Sequence, residues 1–224
     1  MRILFVASEG LPFSKTGGLA DVVEALPKAL AALGHEAAVV LPRYRGTKAT
    51  TAIMPSVTVP LGDRLRFPAV VDGALLHGVR YFFVDDPEYF DRDGIYGNAA
   101  GDFPDNAERY SLFCRTAIEI AKHVWPADVL HCHDWQTALV PVLLRTSYSG
   151  DPVAKDLPVV FTIHNMGYHG LFAPGAIEHA GIPREVFHPG GLEFFGNVNF
   201  LKGGLVFADY LTTVSPTYAK EIRT

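Results

Sequence analysis

The chain has 224 residues, of which 49% are hydrophobic and 19% charged, and its formal net charge is −5. Such a length fits one large domain or two small ones, and so apolar a chain buries roughly 70–75% of its unfolded surface, which excludes disorder. There is no block of like charges to bind nucleic acid or an acidic membrane. The apolar start ends at Ser8 and Glu9, too soon for a signal-peptide core, and no stretch reaches 18 apolar residues, so the expected setting is cytoplasmic.

In chain order, Arg2–Ser8 reads as a buried strand and leads into the Gly-rich segment Glu9–Gly18. Leu19, Val22, Val23, Leu26, Leu30 and Leu33 then share one helical face, with Pro27 expected to kink the helix and Gly34 to stop it. Glu36–Pro42 is the second strand. Ser56–Asp85 departs from the strand–helix rhythm: Val57–Leu61, Leu65–Val71, Ala74–Leu76 and Val79–Val84 lie close together with turns at Gly62-Asp63 and His77-Gly78, and predict a β-hairpin insertion. Asp86–Pro104 is a long loop of the functional kind. A helix through Tyr110, Phe113, Ala117, Ile120, Ala121 and Val124 ends at Pro126; strands follow at Asp128–His133, Pro158–His164 and Tyr210–Val214, with a second long loop at Gly167–Glu193. This alternation predicts an α/β fold, a doubly wound and mostly parallel sheet with helices on both faces. The final residues lie within a helical pattern without a cap, so the chain is read as a piece of something longer. Cys114 and Cys132 are far apart in sequence and read as buried free thiols.

Ligands of open parallel sheets bind at the carboxyl ends of the strands. That rule selects the loop Glu9–Gly18, the pair His133-Asp134 and the pair His164-Asn165, which are expected to face one cleft. Gly17-Gly18 immediately before a helix, with Lys15 beside them, suit a phosphate; alternatively the glycines only permit the turn. The spacing matches neither GxGxxG nor a P-loop. His131 and His133 share one side of a strand, but no third ligand stands at a diagnostic metal spacing, and a hydrogen-bonded core histidine is the favoured reading. Asp91, Asp93 and Asp102 do not fit an EF-hand, because Ile95 and Tyr96 fall where a ligand and the glycine belong. Tyr89, Phe90 and Tyr96 either stack on sugar rings or form a small core beneath their loop. The polar pair His164-Asn165, ending an apolar strand before a Gly- and aromatic-rich loop, is read as functional.

At these residues the chain resembles the amino-terminal domain of bacterial glycogen synthases and plant starch synthases, glycosyltransferase family 5. The matching stretches are Lys15-Thr16-Gly17-Gly18-Leu19-Ala20-Asp21-Val22, Tyr96-Gly97, Asp105-Asn106 with Arg109, His131-Cys132-His133-Asp134-Trp135, Thr162-Ile163-His164-Asn165, Asn199-Phe200-Leu201-Lys202-Gly203-Gly204 and Thr213-Val214-Ser215-Pro216-Thr217-Tyr218-Ala219. They run in family order over essentially the whole chain. The resemblance implies one Rossmann-like half of a GT-B fold, residues 1–224 forming the acceptor-side domain, with the donor-binding domain outside the chain. It implies transfer of glucose from ADP-glucose to the non-reducing end of an α-1,4-glucan with retention of configuration, without metal or other cofactor. By the same resemblance Lys15 and His164 are the catalytic residues, Lys15, Gly17 and Gly18 approach the donor phosphates, His164 hydrogen-bonds the transferring glucose, Asn165 belongs to the ADP-glucose site, and Tyr96 and Asp134 lie near the acceptor. Gln136 stands where many bacterial members carry histidine. The competing expectations are a stand-alone glucan-binding module and a GT-B relative of sucrose synthase using UDP-glucose.

Overall fold

A computed structural model describes residues 1–48 and 51–223. The first strand, β1 (Arg2–Val6), is buried from Ile3 onward, and β2 (Glu36–Pro42) from Ala37 onward. Strands with no exposed face require cover on both sides. Alternate residues supply it: Leu4 and Val6 join one core, Ile3 and Phe5 the other.

The crossover from β1 to β2 is α1 (Leu19–Ala32), which buries Leu19 and Val23 against the second core. The helix runs through Pro27 without interruption and ends in a Schellman motif: Gly34 takes φ +88°, its N–H bonds the Ala31 carbonyl at 3.0 Å, and the His35 N–H bonds Leu30 at 3.1 Å. Next come β3 (Thr51–Met54), the short pair β4 (Val59–Leu61) and β5 (Arg64–Arg66), and the long pair β6 (Ala69–Leu76) and β7 (Val79–Asp85).

Ser56–Asp85 is thus two hairpins, and the longer is not set apart from the sheet. β7 lies parallel to β2, β6 returns antiparallel to β7, and β3 pairs with β6. The expected run Leu65–Val71 is divided between β5 and β6, and its end Ala69–Val71 joins Ala74–Leu76, expected as a separate run, in one strand with a register shift between Asp72 and Ala74; a Cβ on Gly73 would stand 2.4 Å from the Phe83 ring.

The remaining elements are α2 (Pro87–Phe90), β8 (Gly97–Asn98), β9 (Gly101–Asp102), α3 (Asn106–Glu119, extended by a π-helical turn at Ile120–Val124), β10 (Val129–His133), α4 (Leu139–Arg145), β11 (Val159–Ile163), β12 (Leu171–Phe172), α5 (Ala176–His179), β13 (Glu193–Phe194), β14 (Asn197–Asn199), α6 (Phe200–Phe207), β15 (Tyr210–Thr213) and α7 (Pro216–Glu221). The main sheet has the order β15-β11-β10-β1-β2-β7-β6-β3, with parallel pairing throughout except in the β7–β6 and β6–β3 pairs, so that β6 alone runs against the rest. From β1 the chain first winds outward through β2, then returns to β10 on the other side. β1 and β10 therefore flank the topological switch point, where an open sheet forms its crevice.

Several motif residues serve packing. Asn199 caps α6 by accepting from the Lys202 N–H, while Lys202 Nζ donates to the Pro189 carbonyl at 2.6 Å and to that of Glu193. Gly170, outside those motifs, is closely packed as well. It sits at φ +60°, and a Cβ there would lie 2.5 Å from the Trp135 indole. Gly170→Ala therefore combines left-handed backbone strain with overpacking and is expected to cost about 2–4 kcal/mol, whereas Gly175→Ala, with open space around it, stays within about 0.5 kcal/mol. Urea midpoints of the two variants check this; equal midpoints would contradict it.

Candidate functional site

The loop after β1 is organised by a carboxylate that sequence reasoning left without a role. Glu9 is buried and accepts from the Thr16 hydroxyl at 2.7 Å, from the Thr16 and Gly17 N–H groups, and from the Tyr96 phenol. The available signal was an acidic residue directly beyond a fully buried strand. Its partners explain the loop's shape: one carboxylate gathers successive backbone donors that would otherwise point away from each other.

Gly17 N–H is thus already bonded to Glu9 at 3.3 Å, whereas Gly18 N–H, at the exposed start of α1, has no protein partner among the described residues. Neither glycine has a positive φ, and neither has an atom within 4 Å of where a Cβ would be. The turn does not demand glycine at either position; the missing side chains leave bare backbone open to solvent. Lys15, also exposed, is held by Asp21 at 2.7 and 2.8 Å.

Tyr96 is not a free stacking platform. Its hydroxyl lies 2.8 Å from Ser8 Oγ and also bonds Glu9, and its ring packs beside Tyr110 and Trp135. Burial, then Tyr110 and Glu9, raise its phenol well above the ordinary value. Tyr89 and Phe90 are buried, so of the two readings of these aromatics the small core beneath the loop is the one formed. The fully buried Arg109 anchors that loop: its guanidinium donates to the carbonyls of Tyr89 and Ile95 and to the Asn106 side chain, and Asn106 Nδ2 donates to the Tyr96 carbonyl at 2.8 Å.

On the other side of the switch point, Asp134 follows β10 with φ 57° and ψ −176°, a region occupied almost only by glycine. This geometry carries its carboxylate across to β11, where Oδ1 accepts the His164 N–H at 2.7 Å. Burial raises the Asp134 carboxyl to about 6, against the lowering effect of the His164 and Asn165 N–H groups, with Glu9 adding a smaller upward push. Trp135 and Gln136 turn inward and are buried, Gln136 with its Oε1 unpartnered. Asn165 closes the strand end by accepting the Gly167 N–H at 2.8 Å, and the Tyr218 hydroxyl accepts the Met166 N–H at 2.8 Å.

His131 and His133 do share one face, stacked at 4.5 Å, but one nitrogen of each is bonded within the protein and His133 Nε2 is sealed in the interior without a partner. His131 Nε2 lies 2.6 Å from Thr162 Oγ1, which continues to Thr212, and His133 Nδ1 lies 2.9 Å from His164 Nε2. Burial pushes His131 and His164 down to about 4, His131 being further lowered by His164, and holds the fully buried His133 well below the ordinary histidine range. The cysteines are both free and buried. A separate cleft of about 570 Å³, lined by Lys28, His35, Arg80 and Trp125 among others, lies at the amino ends of β2 and β7 and shares no residue with this site.

With this geometry in place, the comparisons are direct. Residues 2–224 match the family described as the starch synthase catalytic domain. The chain is 55% identical over 227 residues to the glycogen synthase of Koribacter versatilis and 43% identical over 238 residues to that of Geotalea uraniireducens, covering 100% of this chain and 47% of each relative. Its fold matches the catalytic domain of starch synthase IV from Arabidopsis thaliana, solved with ADP and acarbose, at TM-score 0.84 and 31% identity over 99% of this chain and 46% of that one. The fold is half of a GT-B glycosyltransferase, with its crevice at the β1/β10 switch point. The chain belongs to the starch synthase catalytic domain family, whose relatives above are about twice its length.

Acidification is expected to weaken the fold. Between about pH 6.5 and 4 the unfolded chain binds protons that native His131, His133 and His164 refuse, so stability falls as pH falls. Asp134 acts oppositely between about pH 6 and 4, because there the native carboxyl binds the proton first. Three groups outweigh one, for a net loss of roughly 2–4 kcal/mol between pH 7 and 5. Urea midpoints at the two pH values measure it; His131→Phe should flatten the dependence, and a midpoint that rises on acidification would contradict it.

Proposed function

We propose that the chain is the amino-terminal, acceptor-side domain of an ADP-glucose-dependent glycogen or starch synthase, and that the longer protein transfers glucose to the non-reducing end of an α-1,4-glucan with retention of configuration, in the cytoplasm. The observation that carries the proposal is the joining of three strand ends at one switch point: bare backbone at Gly17-Gly18 beside Lys15, and His164 set by both Asp134 and His133. The ADP and acarbose bound by the Arabidopsis enzyme are a nucleotide and a sugar ligand of the classes this reading requires. Among the described residues no helix is long and apolar enough to cross a membrane.

Breaking the donor's glycosidic bond places negative charge on the departing diphosphate and positive character on the glucose ring. Lys15 and the Gly18 N–H are the groups to meet the first. The exposed Lys15–Asp21 pair belongs to a class contributing only about 0–1 kcal/mol, so a diphosphate carrying more charge than Asp21 can recruit the ammonium. His164 and Asn165 face the glucose, and the acceptor enters on the side of Tyr96 and Asp134. In this reading Tyr96 and Asp134 act mainly by holding the cleft walls, since their polar groups are engaged by Glu9, Ser8 and His164. The donor-binding domain lies in the remainder of the longer protein, and the exposed apolar side chains of Tyr210, Leu211 and Val214 on and beside the edge strand β15 are surface for such a remainder to cover.

In the full-length protein, ADP-glucose is expected to outperform UDP-glucose, and EDTA to leave turnover intact; the opposite donor preference would favour the sucrose synthase-like alternative. Lys15→Ala and His164→Ala should each lower kcat by roughly 10²–10³ with little change in thermal midpoint. Near-normal specific activity would return both residues to a packing role. The isolated 224-residue chain is expected to show no transfer and weak maltoheptaose binding by calorimetry, because half a cleft cannot hold donor and acceptor in line; steady turnover would overturn the assignment of the cleft's two sides.

A further inference from the structure

The two ring nitrogens of His164 have different surroundings. Nε2 lies 2.9 Å from Nδ1 of His133, whereas Nδ1 has no protein partner among the described residues and the side chain is half-buried at the crevice. A neutral imidazole donates from one nitrogen and accepts at the other. A bond between two neutral imidazoles therefore couples their tautomers: the single proton between them decides which nitrogen of each ring carries the other proton.

Two arrangements give the observed bond. If His164 donated from Nε2, His133 would accept at Nδ1 and carry its own proton on Nε2. That nitrogen is buried and has no partner, and the ring faces around it are stacked on His131 at 4.5 Å and on Phe5 at 5.9 Å. An N–H would then be sealed in the interior without an acceptor, the rarest form of unsatisfied buried group. If His133 donates from Nδ1 instead, its orphaned Nε2 holds only a lone pair, and His164 must carry its proton on the outward Nδ1. His131 does not disturb this choice, since its Nε2 is taken by Thr162. The backbone of His133 is pinned as well: its N–H donates to Thr137 Oγ1 at 2.7 Å, and that hydroxyl donates to the His133 carbonyl at 2.8 Å.

We propose that His133 is a positioning residue that holds His164 as the Nδ1–H tautomer, so that the nitrogen facing the crevice is a hydrogen-bond donor. This deepens, and rests on, the reading of His164 as the glucose contact: a donor at that point suits a sugar hydroxyl oxygen as acceptor. Released from His133, an imidazole favours the Nε2–H form and would present a bare lone pair to the same hydroxyl.

The test uses the full-length protein labelled with ¹⁵N-histidine. The wild type should show a pyrrole-type Nδ1 and a pyridine-type Nε2 for His164, assigned by loss of the pair in His164→Gln. His133→Phe keeps the aromatic stack but removes the donor, and should move His164 toward Nε2–H. His133→Asn, whose amide can donate from near the same position, should restore the Nδ1–H pattern, and near-ultraviolet circular dichroism confirms that each variant is folded. In turnover assays His133→Phe should lower kcat about 10-fold or more with a smaller change in KM, and His133→Asn should recover most of it. An Nε2–H His164 in the wild type, or a spectrum unchanged by His133→Phe, would overturn the proposal. A tautomer that shifts as expected while kcat stays constant would uphold the positioning role and instead refute His164 as the glucose contact.

Discussion

The bond from the Asp134 carboxylate to the His164 N–H ties together the ends of two neighbouring parallel strands, and the geometry of the crevice depends on it. The backbone conformation that allows it is costly for a residue with a side chain, of order 1–3 kcal/mol. A hydrogen bond to a charged acceptor contributes about 1.5–3 kcal/mol, and the carboxylate accepts the His164 N–H at 2.7 Å, so the strain is offset locally. Thr137 closes the same turn by bonding the His133 backbone on both sides. A strained turn supported in this way can hold an imidazole in one place without help from a ligand.

Glu9 does the equivalent work on the opposite wall. It draws the Thr16 and Gly17 N–H groups inward and fixes the Tyr96 phenol, so the start of α1 presents only its next free donor, at Gly18, outward beside Lys15. The two carboxylates are close enough that Glu9 raises the proton affinity of Asp134. Acidic groups on both sides of a crevice proposed to receive a diphosphate look unfavourable, yet each spends its charge on backbone donors, leaving Lys15 as the exposed positive charge that such an anion would meet.

Much of the family pattern around the crevice is scaffolding. Arg109 and Asn106 hold the Tyr96 loop against α3, Asn199 and Lys202 fix the 188–193 segment, and Gly170 admits the Trp135 ring. The sequence pattern does not separate these residues from those that face the crevice, because both kinds are polar or glycine and lie in the same loops. Their distinct roles follow from where their bonds terminate: scaffold residues bond main-chain carbonyls and ring faces, whereas Lys15, Gly18 and His164 keep an unspent donor or ring nitrogen at the opening.

The alternation of apolar runs and helical faces was sufficient by itself to determine the α/β class, five of the parallel strands nearly to the residue, the stop of α1 at Gly34, and the three strand ends that form the crevice. These features rest on local burial period and turn chemistry, which the chain carries in consecutive residues. Tertiary structure alone decided that Val79–Val84 belongs to the main sheet beside β2, that Tyr89 and Phe90 are core and Tyr96 a bonded wall, that Glu9 organises the first loop, and that His133 faces His164. Except for the bonds of Glu9 to Thr16 and Gly17, which close a loop of seven or eight positions, these depend on contacts far apart in sequence, up to nearly 90 positions between Glu9 and Tyr96, and such partners are chosen by strand order and by the direction of a single strained turn, which no local pattern records.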